Sequence, residues 1–289
     1  MEYMYFGSYP QSEVLDDSII SNLNKLVSED NWIDFNYYDN GNVSSFMWYQ
    51  DVIYGGSKYR GVRFNKIRCL FTDREGYTKE DEERLYPHIK LGNIYWFKYE
   101  DIKWIILNDK DDELLLISDL ILDFMEFYSS EDDRTINNKT IYSNNWEYSN
   151  IRKWLNDNFY KWAFNEIEKE KILLKEIDNH NSFNNFSSIY LREQNDTYDK
   201  VYLLSYHESL VYFNGSCLYD ESKLTIPTKY AIINNMSTGF KPGYKNWFLR
   251  TPCNSSRYMV HYVSEGGNVD KAIFTYVLEG IRPVINIKK

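Results

Sequence analysis

Short apolar and aromatic runs alternate with turn signals over residues 246–287, and this pattern organises the end of the chain. The runs are Trp247–Arg250, Tyr258–Val263, Ala272–Leu278 and Arg282–Ile287. Gly266-Gly267-Asn268 and Glu279-Gly280 separate the later runs, and glycine and asparagine are typical of tight turns between strands. The pattern therefore predicts a meander of antiparallel strands.

Strand-like runs also occur earlier in the chain. They are Met4–Tyr9, Phe46–Tyr54, Tyr59–Phe64, Ile94–Tyr99, Ile102–Leu107, Leu114–Ser118, Lys171–Ile177 and Lys200–Ser205. Residues 55–58 predict a hairpin with a four-residue loop. The acidic turn over residues 108–113 resembles a calcium loop weakly, but it lacks the central glycine and the terminal glutamate, so a plain hairpin turn is favoured. Residues 72–87 are charged without apolar period and predict a loop or a short helix.

Helical spacing appears in three places. Asp16 and Asp17 are candidate N-caps for a helix whose apolar positions start at Ile19, and Ser149 is a candidate N-cap for a helix that starts before Ile151. Further apolar residues at helical spacing are Phe159, Trp162, Ala163 and Ile167, and a short helix is predicted over Tyr206–Phe213. Residues 178–199 and 215–227 predict surface loops.

Two arginines interrupt the closing apolar runs. Arg250 and Arg282 each stand among apolar neighbours, and a guanidinium in such a place must be hydrogen-bonded or paired. One interpretation is that they hold an anionic or carbonyl-bearing ligand. The other, which we favour, is that they fasten loops by donating to backbone carbonyls or carboxylates.

Composition limits the classes of function. The chain has 289 residues, a net charge of -10 and a pI of about 5.0, with no lysine or arginine run, which argues against a nucleic-acid-binding or anionic-membrane surface. No apolar window approaches the length of a membrane span, and the first residues lack the basic and apolar regions of a signal peptide. We expect a cytoplasmic protein without membrane insertion.

Cysteine and histidine usage carries no recognised catalytic or metal motif. Cys69, Cys217 and Cys253 are scattered and odd in number, so reduced thiols are expected. The four histidines are too dispersed for a zinc motif. We therefore predict no cofactor, no metal and no catalytic residue set. Aromatic residues make up 18% of the chain, which suits both strands and recognition surfaces.

Ordered sequence blocks resemble an uncharacterised bacterial family, a domain of unknown function. The blocks are FGSYPQ (6–11), IKWIIL (102–107) with LLLIS (114–118), SNIRKWLN (149–156), AF (163–164), DKVYLLS (199–205), TKYA (228–231), WFLRTP (247–252) and GIRPV (280–284). Residues 46–64 and 95–100 are similar to its longer members. The resemblance covers nearly the whole chain.

The ending of that family is similar to the closing strands of the C-type-lectin-like fold, which formylglycine-generating enzymes and variable receptor-binding proteins use. The resemblance implies an α+β architecture with an irregular antiparallel sheet, flanking helices and long loops. It implies one domain over residues 1–289, with 1–92 as an extension packed on a lectin-like core over 93–289. Many relatives look secreted or surface-exposed, and the resemblance brings no established activity.

In a lectin-like fold the ligand face lies on the closing strands and their loops. Here that face would comprise Trp247, Asn254, Ser256, Arg257, Tyr258, His261, Tyr262, Asn268 and Tyr276. Tyr, Trp and Arg give large contact areas, and Asn and Ser adapt their hydrogen bonds. The alternative is that these residues merely face water while Met259, Val260, Val263, Ile273 and Phe274 pack inward.

The function expected on this basis is a non-enzymatic recognition module for a protein or glycan. The closing strands offer few carboxylates, so calcium-dependent sugar binding is disfavoured. A thiol-dependent oxidase of the formylglycine-generating type is the enzymatic alternative, and it requires Cys217 and Cys253 to lie in one groove. A structural subunit of a larger assembly is the third possibility.

Overall fold

The protein is described here from a computed structural model. The structure describes residues 2–35, 47–64, 90–130, 132–180, 194–213, 219–234, 243–253, 255–269 and 272–289. The predicted loop over residues 72–87 lies outside this part of the chain, as do most of the loop over 178–199 and the start of the loop over 215–227.

Strands outnumber helices in the described residues. The strands are β1 Tyr3–Glu13, β2 Ile33–Asp34, β3 Met47–Tyr54, β4 Ser57–Phe64, β5 Ile94–Lys110, β6 Glu113–Ser118, β7 Asp123–Glu126, β8 Arg134–Ile136, β9 Lys139–Ile141, β10 Lys175–Ile177, β11 Thr197–Asp199, β12 Val201–Tyr202, β13 Trp247–Pro252, β14 Met259–Val263, β15 Ala272–Phe274, β16 Leu278–Ile281 and β17 Val284–Lys288. The α-helices are α1 Asp17–Asn24, α2 Asn150–Trp154, α3 Tyr160–Ala163, α4 Glu166–Lys171, α5 Tyr206–Val211 and α6 Lys229–Asn234. The architecture is thus mixed and sheet-rich, with antiparallel sheets and few helices.

The chain divides into two compact units. The first comprises Met1–Ser8, Asp101–Pro227 and Gly243–Lys289, and the second comprises Tyr9–Glu100 and Thr228–Pro242. The prediction of one domain with an N-terminal extension stays a prediction.

The first unit contains the closing strands, in the sheet order β15-β14-β13-β16-β7. Strands β13, β14 and β15 form the predicted antiparallel meander. Strand β16 departs from it, because it pairs with β13 in parallel through Trp247 and Gly280 and turns its other edge to β7. The last strand, β17, leaves this sheet and pairs with β6 and β12. The meander prediction is therefore correct for the first two runs and for the start of the third, Ala272–Leu278. It is wrong for Arg282–Ile287, which contributes β17 to another sheet, and Glu279-Gly280 lies within β16 and not in a turn. Turn signals do not reveal which strand a later one pairs with.

Aromatic side chains fill the interior of the first unit. Phe127 packs against Trp146 and Phe248, with ring centroids 6.1 and 5.8 Å apart. All three side chains are fully buried. Edge-to-face and tilted pairs of this kind add to the free energy of burial. The aromatic excess of the sequence serves this core in part.

The second unit is built around the hairpin of β3 and β4. Strand β4 also pairs with residues 94–98 of β5, and β2 pairs with β3. Helix α1 contributes Leu23 to a small core with Tyr59 and Trp96. Asp16 caps this helix, since its carboxylate accepts from the amides of Ser18 and Ile19. The predicted cap is confirmed.

Two turns are tighter than the sequence suggested. The β3–β4 hairpin turns on Gly55 and Gly56 alone, and Tyr54 pairs directly with Ser57. Both glycines have positive φ, 58° and 79°, which suits a two-residue hairpin turn. The acidic turn is also short, because β5 continues to Lys110 and pairs there with Glu113. The predicted strands over 94–99 and 102–107 are one strand, since Glu100 and Asp101 continue it.

The predicted cap at Ser149 is also confirmed, and a further helix has a cap that was not predicted. Ser149 caps α2, its hydroxyl accepting from the amide of Arg152. The helix predicted from Tyr206 to Phe213 exists as α5, capped by Ser205 and Glu208 in a reciprocal box. Among the described residues, no helix has the length and apolar composition to cross a membrane.

A buried ion pair lies at the centre of the second unit. Arg60 is fully buried and donates to both oxygens of Asp51, at 2.8 and 3.0 Å. It also donates to the hydroxyls of Tyr99 and Tyr230, and its guanidinium lies 4.3 Å from the ring centre of Tyr49. Burial opposes ionisation of Asp51, but the charge and hydrogen bonds of Arg60 outweigh it and lower the pKa of the carboxyl.

We expect Asp51→Ala to lower the free energy of unfolding by about 3 kcal/mol, because it leaves the Arg60 charge buried without its carboxylate. Asp51 keeps 23% side-chain exposure, which places the effect at the low end for buried pairs. Urea unfolding measures it. The control is Glu29→Ala, which removes the exposed partner of Arg63 and is expected to cost less than about 1 kcal/mol. Equal effects in the two variants would contradict the structural role of the Arg60 pair.

Candidate functional site on the closing strands

Two of the residues expected on the ligand face lie in the interior. Trp247 is 1% exposed, and its indole nitrogen donates to the carbonyl of Lys223 at 3.1 Å. His261 is 7% exposed and packs its ring 4.9 Å from that of Tyr206. Neither offers much surface to a ligand. Tyr262 is half-buried, and Asn254 lies outside the described residues.

The other five residues of the set lie in two places. Ser256, Arg257 and Tyr258 are consecutive and half-buried, and the carbonyl of Tyr258 accepts from the amide of Thr275, next to Tyr276. Asn268 instead belongs to the β14–β15 turn, where its amide donates to the hydroxyl of Ser264. The closing strands thus bring together the loop over residues 255–258 and the end of β15, but not Asn268.

The aromatic rings at the end of β15 add to this surface. Phe274 and Tyr276 are stacked, with ring centroids 5.3 Å apart. Alternation along the strand suggested that Phe274 packs inward, yet its side chain is 40% exposed. The inward positions Val260 and Val263 are fully buried. We name Arg257, Tyr258, Phe274 and Tyr276 the arginine-aromatic face.

Arg257 is held in place by a carboxylate and a ring. Its Nη1 lies 2.8 Å from the Oδ2 of Asp133, and its guanidinium carbon lies 4.8 Å from the ring centre of Tyr258. The hydrogen bond with Tyr258 raises the pKa of Arg257, and the charge of Asp133 adds to the effect. With 43% of its side chain exposed, the guanidinium is ordered and still accessible. A pre-positioned arginine loses little side-chain entropy on binding.

The loop backbone is anchored from below by residues that the sequence did not single out. The buried side chain of Asn144 donates to the carbonyls of Ser256 and Met259, at 2.9 and 3.2 Å. Ser143, also buried, donates to the carbonyl of Arg257. Because these contacts satisfy the backbone, the loop side chains are left for other contacts. The one signal in the sequence that could have indicated these anchors is that the polar residues Ser143 and Asn144 are adjacent in a stretch without helical or strand periodicity.

Arg250 is fixed in the interior by one carboxylate and several oxygens. It is 2% exposed and pairs with both oxygens of Glu208, the longer contact being 3.1 Å. It also donates to the carbonyl of Leu203 and to the side chain of Asn179. Burial opposes ionisation of Glu208, but Arg250 overcomes it and lowers the pKa of the carboxyl.

Arg282 is held in the interior by hydrogen bonds to backbone carbonyls. It is 1% exposed, donates to the carbonyls of Ser118, Asp119 and Lys223, and lies 4.8 Å from the ring centre of Trp247. Burial lowers its pKa to about 9, so the guanidinium stays charged at neutral pH. These contacts connect β16 to the turn after β6.

The thiol alternative depends on a cysteine outside the described residues. Cys253 is buried, and its sulfur lies 3.4 Å from the hydroxyl of Ser255. Cys217 is not among the described residues, so the separation of the two thiols is not tested.

One group in the described part of the chain has the composition of a metal-ligand set. Ligand atoms of Asp178, His180 and Asp196 lie within 4.8 Å of one another at the ends of β10 and β11. All three residues are exposed, and the Nδ1 of His180 lies 3.1 Å from the Oδ1 of Asp196. Exposed acidic groups of this kind are common without an ion, and we assign none here.

Two carboxyl groups in the closing sheet are buried. Burial raises the pKa of Glu126, on β7, to about 8. Burial also raises the pKa of Glu279, on β16, to about 7, although its hydrogen bond from Asn246 opposes the shift. These groups keep a proton in the folded state at pH values where exposed glutamates have lost it.

The described part of the chain is thus mixed and sheet-rich, and its closing strands carry an arginine paired with a carboxylate and the exposed ring of Phe274. The chain belongs to the family described as Domain of unknown function (DUF6273), whose model matches residues 111–289. The predicted membership in an uncharacterised domain family is confirmed. Searches of the curated proteins and of the solved structures each returned no match.

We expect the stability of the protein to fall as the pH rises from about 5 to about 9. A carboxyl whose pKa is higher in the folded state than in the unfolded state stabilises the fold at low pH, and this contribution is lost as the pH rises through the folded pKa. For Glu126 this stabilising contribution is lost between pH 4.5, the ordinary pKa of the carboxyl, and a pH of about 8, its pKa in the folded state. At about 1.4 kcal/mol per pKa unit, this shift corresponds to a loss on the order of 5 kcal/mol.

Urea unfolding of Glu126→Gln at several pH values tests this expectation. The variant should lose much of the pH dependence, because glutamine stays neutral. Glu170→Gln changes an exposed glutamate and should leave the dependence as in the wild type. A steep slope retained in Glu126→Gln would show that other groups cause it.

Proposed function

We propose that this protein is a non-enzymatic recognition module with a C-type-lectin-like fold, which binds a protein ligand through the arginine-aromatic face. The observation that carries the proposal is Arg257, paired with Asp133 and still accessible, near the exposed ring of Phe274 and on a loop whose carbonyls bind the buried Ser143 and Asn144. Arginine and aromatic residues dominate the binding energy of protein interfaces.

The lectin-like fold is part of the proposal. Its support is the pairing of the two segments on which the resemblance rests, since Trp247 of WFLR pairs with Gly280 of GIRP. In such folds the closing strands and their loops carry the ligand, and the arginine-aromatic face occupies this position. The description of the family names no ligand.

A protein ligand is favoured over a glycan by the chemistry of the face. The face combines a cation with a stacked ring pair, and Asp133 adds a carboxylate at its edge. Mixed charge and exposed rings suit a peptide surface with both apolar and acidic groups. No described feature specifically favours the oxidase alternative, for which the second thiol lies outside the described residues.

The test compares two double variants in a search for the ligand. Arg257→Ala/Phe274→Ala removes the cation and an exposed ring from the face. Tyr5→Ala/Lys98→Ala is the matched control, because it removes an exposed ring and an exposed cation elsewhere. Each protein is used to capture partners from a lysate and is applied to a glycan array.

We expect a protein partner that the wild type and the control capture and the face variant loses. For the purified partner, loss of two interface residues of this type should weaken binding by about tenfold or more. A partner bound equally by all three proteins would contradict the assignment of the face. Binding to the glycan array without any protein partner would show that the ligand is a sugar and not a protein.

A further inference from the structure

A second surface of the first unit shares no lining residue with the arginine-aromatic face. It is a cleft of about 720 Å³ lined by residues of β8, α2, α3 and β11. Its volume is within the usual range for ligand sites. We name it the cationic cleft, after the four cationic side chains in its lining, which are Arg134, Arg152, Lys153 and Lys200.

Cationic groups outnumber carboxylates in the cationic cleft, although the whole chain has a net charge of -10. The four cations face three carboxylates, those of Glu147, Asp157 and Asp199. The Asp199 carboxylate is fully buried and pairs with Arg152 at 2.7 Å. The carboxylate of Glu147 accepts from the side-chain amide of Asn195, also at 2.7 Å. The balance of charge in the cleft therefore favours an anion.

Arg134 is a cation of the cleft that only neutral groups contact. Its Nη1 and Nη2 donate to the carbonyls of Tyr148 and Tyr142, and its guanidinium carbon lies 3.8 Å from the ring centre of Tyr128. No carboxylate pairs with it in the described part of the chain. Burial lowers the pKa of Arg134, because desolvation of its charge is not offset by a carboxylate.

The Nε of Arg134 supplies an observation that is independent of the charges. This atom is buried and has no acceptor among the residues that the structure describes. Arg282 differs in this respect, because its Nε donates to the carbonyl of Ser118. In the second unit, Arg60 uses its Nε and Nη2 to hold both oxygens of Asp51. The same edge of Arg134 has a vacant Nε and only a long contact, 3.4 Å, at Nη2, so it has the donors that a carboxylate requires.

Lys200 shows the same pattern elsewhere in the cleft. Its Nζ donates to the hydroxyl of Tyr160 at 2.7 Å and lies 4.5 Å from the centre of that ring, and no carboxylate pairs with it among the described residues. Leu174 and Tyr198 line the cleft with 59% and 60% of their surface exposed. Large apolar groups in water beside a cation favour a ligand that has both a charge and an apolar part.

We propose that the cationic cleft binds a ligand in which a carboxylate is joined to an apolar or aromatic group. The half-buried Arg134 shifts toward the cleft so that its Nε and Nη2 hold the two carboxylate oxygens, and Lys200 adds its charge. The apolar part packs against Leu174 and the ring of Tyr198. A free carboxylic acid and the carboxyl end of a peptide share this chemistry. The proposal does not rest on the arginine-aromatic face, and either can fail without the other.

The first experiment is calorimetry at low salt with N-acetyl-phenylalanine and with its neutral amide. We expect the acid to bind about tenfold or more tightly than the amide, because the amide cannot form charge-assisted hydrogen bonds with the guanidinium. Arg134→Gln and, as a separate variant, Lys200→Gln should each weaken binding of the acid about fivefold or more. No binding of the acid at millimolar concentration, or equal binding of acid and amide, would overturn the proposal.

The matched control is Lys139→Gln, which removes an exposed cation on β9, in the same hairpin as Arg134 but outside the cleft lining. Its affinity for the acid should stay within about twofold of the wild type, since exposed distant charges are screened. Thermal transitions check that each variant is folded, and Lys200→Gln provides the test if Arg134→Gln is not. Equal weakening in the control would contradict the assignment of the cleft.

A second pair of probes separates the two sources of the carboxylate. Phenylacetate represents a free acid, and acetyl-Ala-Ala-Phe with a free carboxyl end represents a peptide. Binding of the peptide about tenfold more tightly would assign the cleft to peptide ends, and equal affinity would assign it to free acids. Affinities for both probes that stay unchanged in folded Arg134→Gln and Lys200→Gln would overturn the site.

Discussion

A charged guanidinium cannot lie in the interior without partners, and this constraint shapes both units. Leaving such a group unpaired costs several kcal/mol, so each buried arginine requires oxygens placed around it. Arg250 draws together Glu208, Asn179 and the carbonyl of Leu203. Arg60 has the same effect on Asp51 and two tyrosines in the second unit. The closing strands are therefore joined to the rest of the first unit by directional bonds as well as by apolar packing.

The arginine-aromatic face depends on a similarly supported loop. The carbonyls of the 255–258 loop accept hydrogen bonds from Ser143 and Asn144, so the side chains of Arg257 and Tyr258 remain available for other contacts. A loop that is already held in place loses less conformational entropy when it binds a ligand.

Local signals in the sequence predicted local structure well. Asp16 and Ser149 could be predicted as caps because each is a short polar residue directly before a run of apolar residues at helical spacing. The side-chain oxygen of such a residue commonly accepts from the free amides of the first helical turn. The pairing of strands was harder to predict from the sequence, since β16 and β17 are consecutive but pair with different strands. The residues of the ligand face were the hardest to predict. Trp247 and His261 looked suitable by residue type but are buried, and Asn144 acts through backbone carbonyls that no sequence pattern reveals.

The most direct test of the buried-arginine account is the unfolding free energy of Arg250→Met, measured in urea beside that of Arg257→Met. The account predicts a loss of about 3 kcal/mol for Arg250→Met, because the partly buried Glu208 and the carbonyl of Leu203 lose the guanidinium that they bind. For the exposed pair of Arg257 it predicts less than about 1 kcal/mol. A loss below about 1 kcal/mol for both variants would contradict it.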